Sequence, residues 1–506
     1  MQSFRRIATA CAAMVALAGC AVTPKPLSTV EFLRNASDVL ERTTLGQDPV
    51  HGTIDLYEAM ARALKYNLDH RVEMMETALR AAELNLAHYN LLPNLVVSSG
   101  YAARGNENAS NSINILTRVE SLTTSTSQDK RISTSDVAFS WNILDFGLSY
   151  VRARQAADKL LIAEELKRKV VHRIVEDVRS AYWRAVGADR LLGKLRGLEG
   201  RVKKAQTDAK KISSERQTSP ITAVTYEREL VEIKRSIQEL ERDLSVARTQ
   251  LSSLMNLRPG TEFTLVDPGR QKNNLAVTFA VKDLVRTALV NRAELREVWY
   301  RQRINDHEVD AALLELLPGV QLFAGTNYDS NEFLYNNNWI NWGAKAGWNV
   351  LRLLQYPAKR KVVDAQALLL DERALAVAMA VMTQVHVSRV RFYHHRKEFD
   401  TATEYLDVQG RLVGLMRNEA GADRISEQTL IREEMNTLVA EVKRDIAYAN
   451  LQNAFANVYA STGLDPYGSE IDVSLDLKAL AGALRAVWFE RGDNGAASGW
   501  ETSSVK

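Results

Sequence analysis

Cysteine is almost absent: Cys11 and Cys20 are the only two, both within the first twenty residues, so no disulfide or zinc framework can exist in the rest of the chain. Proline is scarce, ten in 506 residues, which leaves room for very long helices. An excess of one charge is missing too. The 65 basic residues stand against 62 acidic ones, too even to build a phosphate-binding surface, so nucleic acid is set aside as a partner. Long apolar runs are lacking, and a mean hydropathy of −0.23 with 25% charged residues excludes a polytopic helical membrane protein and a disordered chain alike. What the chain has is length, enough for two to four folded units.

The first twenty residues set the compartment. Arg5 and Arg6 precede an apolar stretch over residues 7–17, and small residues then run into a cysteine, Leu17-Ala18-Gly19-Cys20. This is a secretory signal, too short to span a bilayer. The tetrapeptide resembles the bacterial lipobox, which implies that Cys20 is acylated and becomes the mature N-terminus. Ala21 follows, where an Asp would resemble the signal for inner-membrane retention, so the expected destination is the outer membrane.

The chain repeats itself. Shifted by 225 positions, Arg71 meets Arg296, Glu83 meets Glu308, and Leu91-Leu92-Pro93 meets Leu316-Leu317-Pro318. The offset falls to 207 at Trp141-Asn142 and Trp348-Asn349, becomes 211 at Gln155-Ala156 and Gln366-Ala367, and returns to 207 at Leu257 and Leu464. A period above 200 residues is far too long for a solenoid. The expected divisions are a signal peptide over 1–19, a lipid anchor and linker over 20–54, repeats over 55–270 and 271–467, and a C-terminal segment over 468–506 whose last fifteen or so residues are disordered.

Within each copy the period changes from helix to strand and back. Residues 56–91 predict one helix, stopped by Pro93, and a strand begins at Leu95. Val137, Phe139, Trp141 and Ile143 alternate with Ala138, Ser140 and Asn142, a two-faced strand whose outward set is expected to meet lipid. In the second copy Ile340, Trp342, Ala344, Ala346, Trp348 and Val350 alternate with Asn341, Gly343, Lys345, Gly347 and Asn349, with residues 320–328 as partner strand. Trp339, Trp342 and Trp348 suit a headgroup belt, and residues 105–130 and 329–338 read as exposed loops. Residues 151–213 then form a very long helix with apolar positions from Ile174 to Val202 at alternating steps of three and four. A returning helix carries Leu230, Ile233, Ile237, Leu240, Leu244, Ala247 and Leu251 in the same rhythm. That rhythm predicts an antiparallel coiled-coil hairpin, repeated over residues 364–418 and 426–462.

The fold class is therefore mainly α with a small antiparallel transmembrane β-barrel, from a duplicated helix-strand-strand-helical-hairpin unit. Four strands cannot close a membrane barrel, whose smallest members use about eight, so the chain must oligomerise. A homotrimer would supply twelve strands and a long coiled-coil α-barrel. With the duplicated order and the two Leu-Pro strand entries in place, the sequence resembles the TolC family of outer-membrane channels, and its lipobox resembles the family's lipoprotein branch. The resemblance implies the exit duct of a tripartite efflux or type I secretion system, a passive channel in the outer membrane. Its implied partners are a periplasmic adaptor (membrane fusion) protein, an inner-membrane pump of RND or ABC type, and outer-membrane lipid around Cys20. It further implies adaptor contact at the hairpin tips, Gly421 and Ala422 in the second and Ser219 and Pro220 in the first, which lacks the glycine. A periplasmic aperture is implied at Asp423, Arg424 and Glu427, with Leu430 standing where the family has a further acidic residue; because an open tube would leak, Arg424 is expected to seal it by bridging to an acidic or carbonyl partner on an adjacent hairpin near Glu215.

Catalytic signals are weak. His394 and His395 are adjacent, about 100° apart on a helix, which makes joint chelation awkward. Met74, Met75, Met379 and Met382 sit at helical spacing with no soft-metal cysteine beside them. Neither a phosphate loop nor a nucleophile motif is present, so no enzyme, cofactor or metal is expected. The rival reading is a lipid-anchored periplasmic coiled-coil scaffold or adaptor whose strands form a soluble domain.

Overall fold

The computed structural model describes residues 24–50, 52–121, 123–214, 220–258, 260–267, 277, 279–422, 424–464 and 475–493. The signal, Cys20, Glu215, Ser219, Asp423 and the chain beyond residue 493 lie outside the described residues.

Two copies of one element series follow each other. The first comprises α2 (Leu56–Tyr66), α3 (Leu68–Tyr89), β2 (Asn94–Ala103), β5 (Arg131–Asn142), α4 (Ile143–Ser214) and α5 (Pro220–Leu254). The second comprises α6 (Val281–Asn291), α7 (Ala293–Leu314), β7 (Gly319–Asp329), β8 (Asn338–Gly347), α8 (Arg352–Gly421) and α9 (Glu427–Ser461). Outside this series lie α1 (Thr29–Arg42), α10 (Leu477–Asp493), the short strands β1 (Thr53–Ile54) and β6 (Thr264–Leu265), and a small hairpin of β3 (Ala109–Ser110) and β4 (Ser125–Thr126). The hairpin sits within residues 105–130, read from the sequence as an exposed loop.

Several boundaries differ from the sequence reading, each for a local reason. The helix expected over 56–91 divides at Asn67, whose side chain accepts from the amides of Asp69 and His70 and so caps a second helix. The long helix starts at Ile143, not 151, because Asn142 accepts from the Leu144 amide at 3.1 Å and ends the strand there. Ile143 is thereby removed from the strand face. In the second copy β8 stops at Gly347, so Trp348 leaves the strand, and its indole Nε1 donates to the Leu316 carbonyl at 2.9 Å.

At 72 and 70 residues, α4 and α8 each run about 105 Å. Near the sheet they pack against α3 and α7; further away they pack against the returning helices α5 and α9. The coiled-coil rhythm holds: Ile174, Val178, Ala181, Ala185, Ala188, Leu195 and Val202 are buried, as are Leu230, Ile237, Ala247 and Leu251. Two cores result. One joins α4, α5 and α9 through Leu191, Leu195, Leu230, Ile237, Ile431 and Met435. The other forms a belt where α2, α6 and α10 lie against the long helices, with Met60, Val178, Tyr182, Leu284, Phe455 and Leu480 at its centre.

Candidate functional site

The four long strands form one antiparallel sheet in the order β2-β5-β7-β8. Its register stacks side chains into two faces. Leu95 pairs with Phe139, Phe139 with Ala324 and Ala324 with Trp342; Val97 pairs with Val137, Val137 with Thr326 and Thr326 with Ile340. These rows share one apolar face, since cross-strand partners point the same way. The opposite face carries Ser98, Asp136, Ser140, Asn142, Gln321, Asn327, Asn341 and Lys345. Bulk there is limited: the Phe323 ring lies over Gly343, where an added Cβ would meet its Cζ at 2.7 Å.

None of the described elements covers the apolar face. Val97 is 74% exposed, Ile340 74% and Trp342 81%. A soluble sandwich would bury this face under a second layer, so an uncovered one of this extent needs an apolar medium. The edges β2 and β8 each keep a row of unpaired backbone groups.

The helices have matching open edges. Inside the chain α4 meets α7: Arg303 bonds Asp158, Gln155 Nε2 donates to Glu308 at 3.2 Å, and Arg296 lies 3.4 Å from Glu165. The repeat offsets carry this joint onto α8 and α3, setting Leu369 opposite Ala78, Gln366 opposite Glu83, and Ala376 opposite Arg71. The Gln–Glu pair is the same in both versions. Within one chain α3 and α8 form opposite edges, and Glu83 and Gln366 are both exposed.

The expected aperture lies at the far end of the hairpins. Helix α8 runs through Gly421, and Ala422 caps it with backbone bonds to Ala420 and Glu419, at φ −100°. Gly421 is not among the described glycines with positive φ. Ser426 caps α9 by accepting from the Thr429 amide at 3.2 Å, which makes Glu427 its first residue, where a carboxylate suits the helix dipole. Arg424 pairs with Glu419 in its own turn at 3.4 Å, and both are well exposed. The partner expected for it near Glu215 lies outside the described residues. Glu427 instead reaches the first hairpin, 3.9 Å from Arg201. Leu430 is buried rather than presented to a lumen.

A constellation the sequence reading missed links the two hairpins. Along the seam of α4 with α9, Arg190 pairs with Asp445, Lys194 with Glu441 at 2.8 Å, and Arg201 with Glu434. The basic partners advance by four and then seven residues while the acidic ones recede by four and then seven, the antiparallel equivalent of flanking charges in a coiled coil. Every cation is on the first hairpin and every carboxylate on the second. Glu434 also accepts from Arg417 of α8 at 2.9 Å. Asp445 is 7% exposed; burial pushes its carboxyl above the ordinary range, with Arg190 and then Arg444 pulling it back. Gly187 lies beside it, where an added Cβ would stand 3.4 Å from that carboxylate, an ordinary contact.

The residues weighed as metal ligands stay apart. His395 Nδ1 lies 2.8 Å from Glu398, and His394 stacks edge-on against Tyr393. Among the described residues there is no cluster of three His, Cys, Asp or Glu able to hold a metal. No described helix is long and apolar enough to cross a membrane.

No protein-family model matches the chain. No curated protein matches it either. Solved structures do. The Campylobacter jejuni CmeC outer membrane channel superposes with a TM-score of 0.65 at 12% identity, covering 87% of this chain and 94% of that one. The outer membrane protein VceC of Vibrio cholerae gives 0.60 at 11% identity over 81% and 96%. The open state of the Neisseria gonorrhoeae MtrE outer membrane channel gives 0.57 at 14% identity over 80% and 89%. With its duplicated helical hairpins, half-open sheet and near-complete superposition, the chain has the fold of these outer-membrane channels.

Proposed function

We propose that three copies of this chain form the outer-membrane exit duct of a tripartite efflux or type I secretion system, a passive channel that opens when a periplasmic adaptor and an inner-membrane pump dock. The observation that carries this reading is the uncovered apolar sheet face with two unpaired edges: such a sheet is stable in lipid only when the edges are joined in a closed barrel. Three copies bring twelve strands. The Gln–Glu joint repeated across the chain boundary supports the same closure, and the scaffold or adaptor reading leaves both features without a purpose.

In this reading Cys20 carries the lipid anchor, residues 1–19 are removed, and the helical part stands in the periplasm. The hairpin tips at Gly421, Ala422, Ser219 and Pro220 meet the adaptor. Asp423, Arg424 and Glu427 surround the narrow end, where like carboxylates repeated around the axis repel and bind cations. The inter-hairpin seam, with Arg201 holding Glu434 and Glu427, is the contact that must yield for the end to widen. Its Arg201–Glu427 pair is exposed and contributes only about 0 to 1 kcal/mol, so docking can overcome it.

Reconstitution into planar lipid bilayers tests the proposal. Discrete, long-lived conductance steps are expected. Protein that stays out of the bilayer and remains soluble without detergent would overturn it.

A further inference from the structure

We propose that α1 is a strap that docks on a second copy of this chain, along the flank of the joint between α3 of its own chain and α8 of its neighbour. The inference rests on the ring of copies proposed above.

Three observations carry it. First, α1 is a fully specified helix none of whose residues is buried against the described residues. Its capping box is complete: the Glu31 amide donates to Ser28 Oγ at 3.3 Å and the Ser28 amide donates to Glu31 Oε2 at 2.7 Å. Phe32, Leu33, Ala36, Val39 and Leu40 share one face, opposite Glu31, Arg34, Asp38, Glu41 and Arg42. The apolar face is bare, with Leu33 67% and Leu40 76% exposed.

Second, the chain that follows α1 is pinned to one edge. Asn256 Nδ2 donates to the Thr43 carbonyl at 2.8 Å, Gln47 Nε2 donates to the Asn256 carbonyl at 2.7 Å, and Arg258 Nε donates to Thr44 Oγ1 at 2.8 Å. Asn256 lies just beyond α5, and Asn67 at the head of α3 donates to the Leu254 carbonyl at 3.3 Å. This corner of α5 and α3 is the edge that the next copy's α8 would meet. The same pinning disfavours a membrane surface as the occupant. Twenty-two residues of α3, about 33 Å, separate the corner from the sheet, whereas α1 is only about 21 Å long, so it fits along the helical wall rather than in the lipid plane.

Third, α8 has an apolar stripe that its duplicate lacks. Leu368, Leu375 and Met379 are 68%, 66% and 61% exposed, yet the corresponding positions of α4 are Ala157, Glu164 and Arg168. A joint repeated in both halves would not need an apolar flank on one half alone. An element present once per chain would, and α1 has no second copy in the sequence. In the register of the joint Leu368 comes level with Leu79 of the neighbour's α3, where Leu33 of a strap rising from the pinned corner would lie.

Cross-linking of the full-length protein in detergent tests this. Two differently tagged chains are co-expressed, one carrying Leu33→Cys and the other Leu368→Cys, and treated with a short bismaleimide. A second pair, Glu83→Cys with Gln366→Cys, reports the ring itself. The proposal expects a linked heterodimer from both pairs, and about tenfold less when Arg34→Cys replaces Leu33→Cys, because proximity sets the effective concentration. A ring pair that links while the Leu33 pair does not would overturn the strap and leave the duct intact. So would quenching of a fluorophore at Leu33→Cys by spin-labelled lipid in vesicles. Failure of both pairs to link would overturn the ring and the strap together.

Discussion

Phe139 sits mid-sheet, between Leu95 on one side and Ala324 on the other, and Ser140 follows on the opposite face. Arginine at Phe139 is expected to cost about 2 to 4 kcal/mol while arginine at Ser140 is mild, read as the urea midpoint of barrel unfolding in detergent. Equal tolerance would contradict the face assignment. Asp445 gives the second prediction. Leucine there leaves Arg190 and Arg444 facing an apolar side chain and should cost about 3 to 5 kcal/mol, whereas pairing it with Arg190→Met should restore most of the loss. The pH dependence has a definite sign. Because burial raises the folded carboxyl, the stability Asp445 contributes is complete in acid below its unfolded value and is lost as pH rises through the folded one, so wild type should gain on the double variant as pH falls. Thermal unfolding between about pH 4 and 7 measures it. The third concerns gating. Arg424 is tied within its own turn and Arg201 ties two hairpins, so Arg201→Ala should raise single-channel conductance in planar bilayers more than Arg424→Ala does. The reverse order would return the latch to the tip. Alternation made Phe139 and Ser140 legible from sequence. The partners of Arg201 were not, because a charge at heptad spacing names its face but not the helix it meets.

At the scale of elements, period carried most of the reading. The coiled-coil positions from Ile174 to Val202 and from Leu230 to Leu251 needed only steps of three and four, and most of those residues are buried, with Leu192 and Leu240 half-buried beside them. Breaks were harder. Asn67 divides a run of good helix formers through a side-chain cap, a local bond that competes with helix continuation and leaves no mark on hydrophobic period. The belt was hidden for another reason: β1 and β6 are two residues each and pair in parallel across more than 200 residues of chain. Tyr182 of α4 secures that ribbon, its hydroxyl donating to the Val266 carbonyl at 2.7 Å from a fully buried position. Tyr182→Phe should leave that carbonyl unpaired and cost about 1 to 3 kcal/mol, lowering the melting temperature in detergent while strand content by circular dichroism stays the same. A change in strand content would mean that the belt and the sheet are not separate in the way their packing implies.

For the whole molecule, duplication explains the architecture. Each half supplies two strands and a hairpin, the halves meet at a joint containing Gln155 and Glu308, and the same joint recurs in halves, Gln366 at one edge and Glu83 at the other. A heterologous contact of this kind closes into a ring when the rotation per copy divides a full turn. Twelve strands and a matching circle of helices then leave no edge of sheet or wall unpaired. The measurement that tests this most directly is multi-angle light scattering of the detergent-extracted protein with the detergent contribution subtracted. Three chains per particle is the predicted result, and a monodisperse single chain that needs no detergent would contradict it.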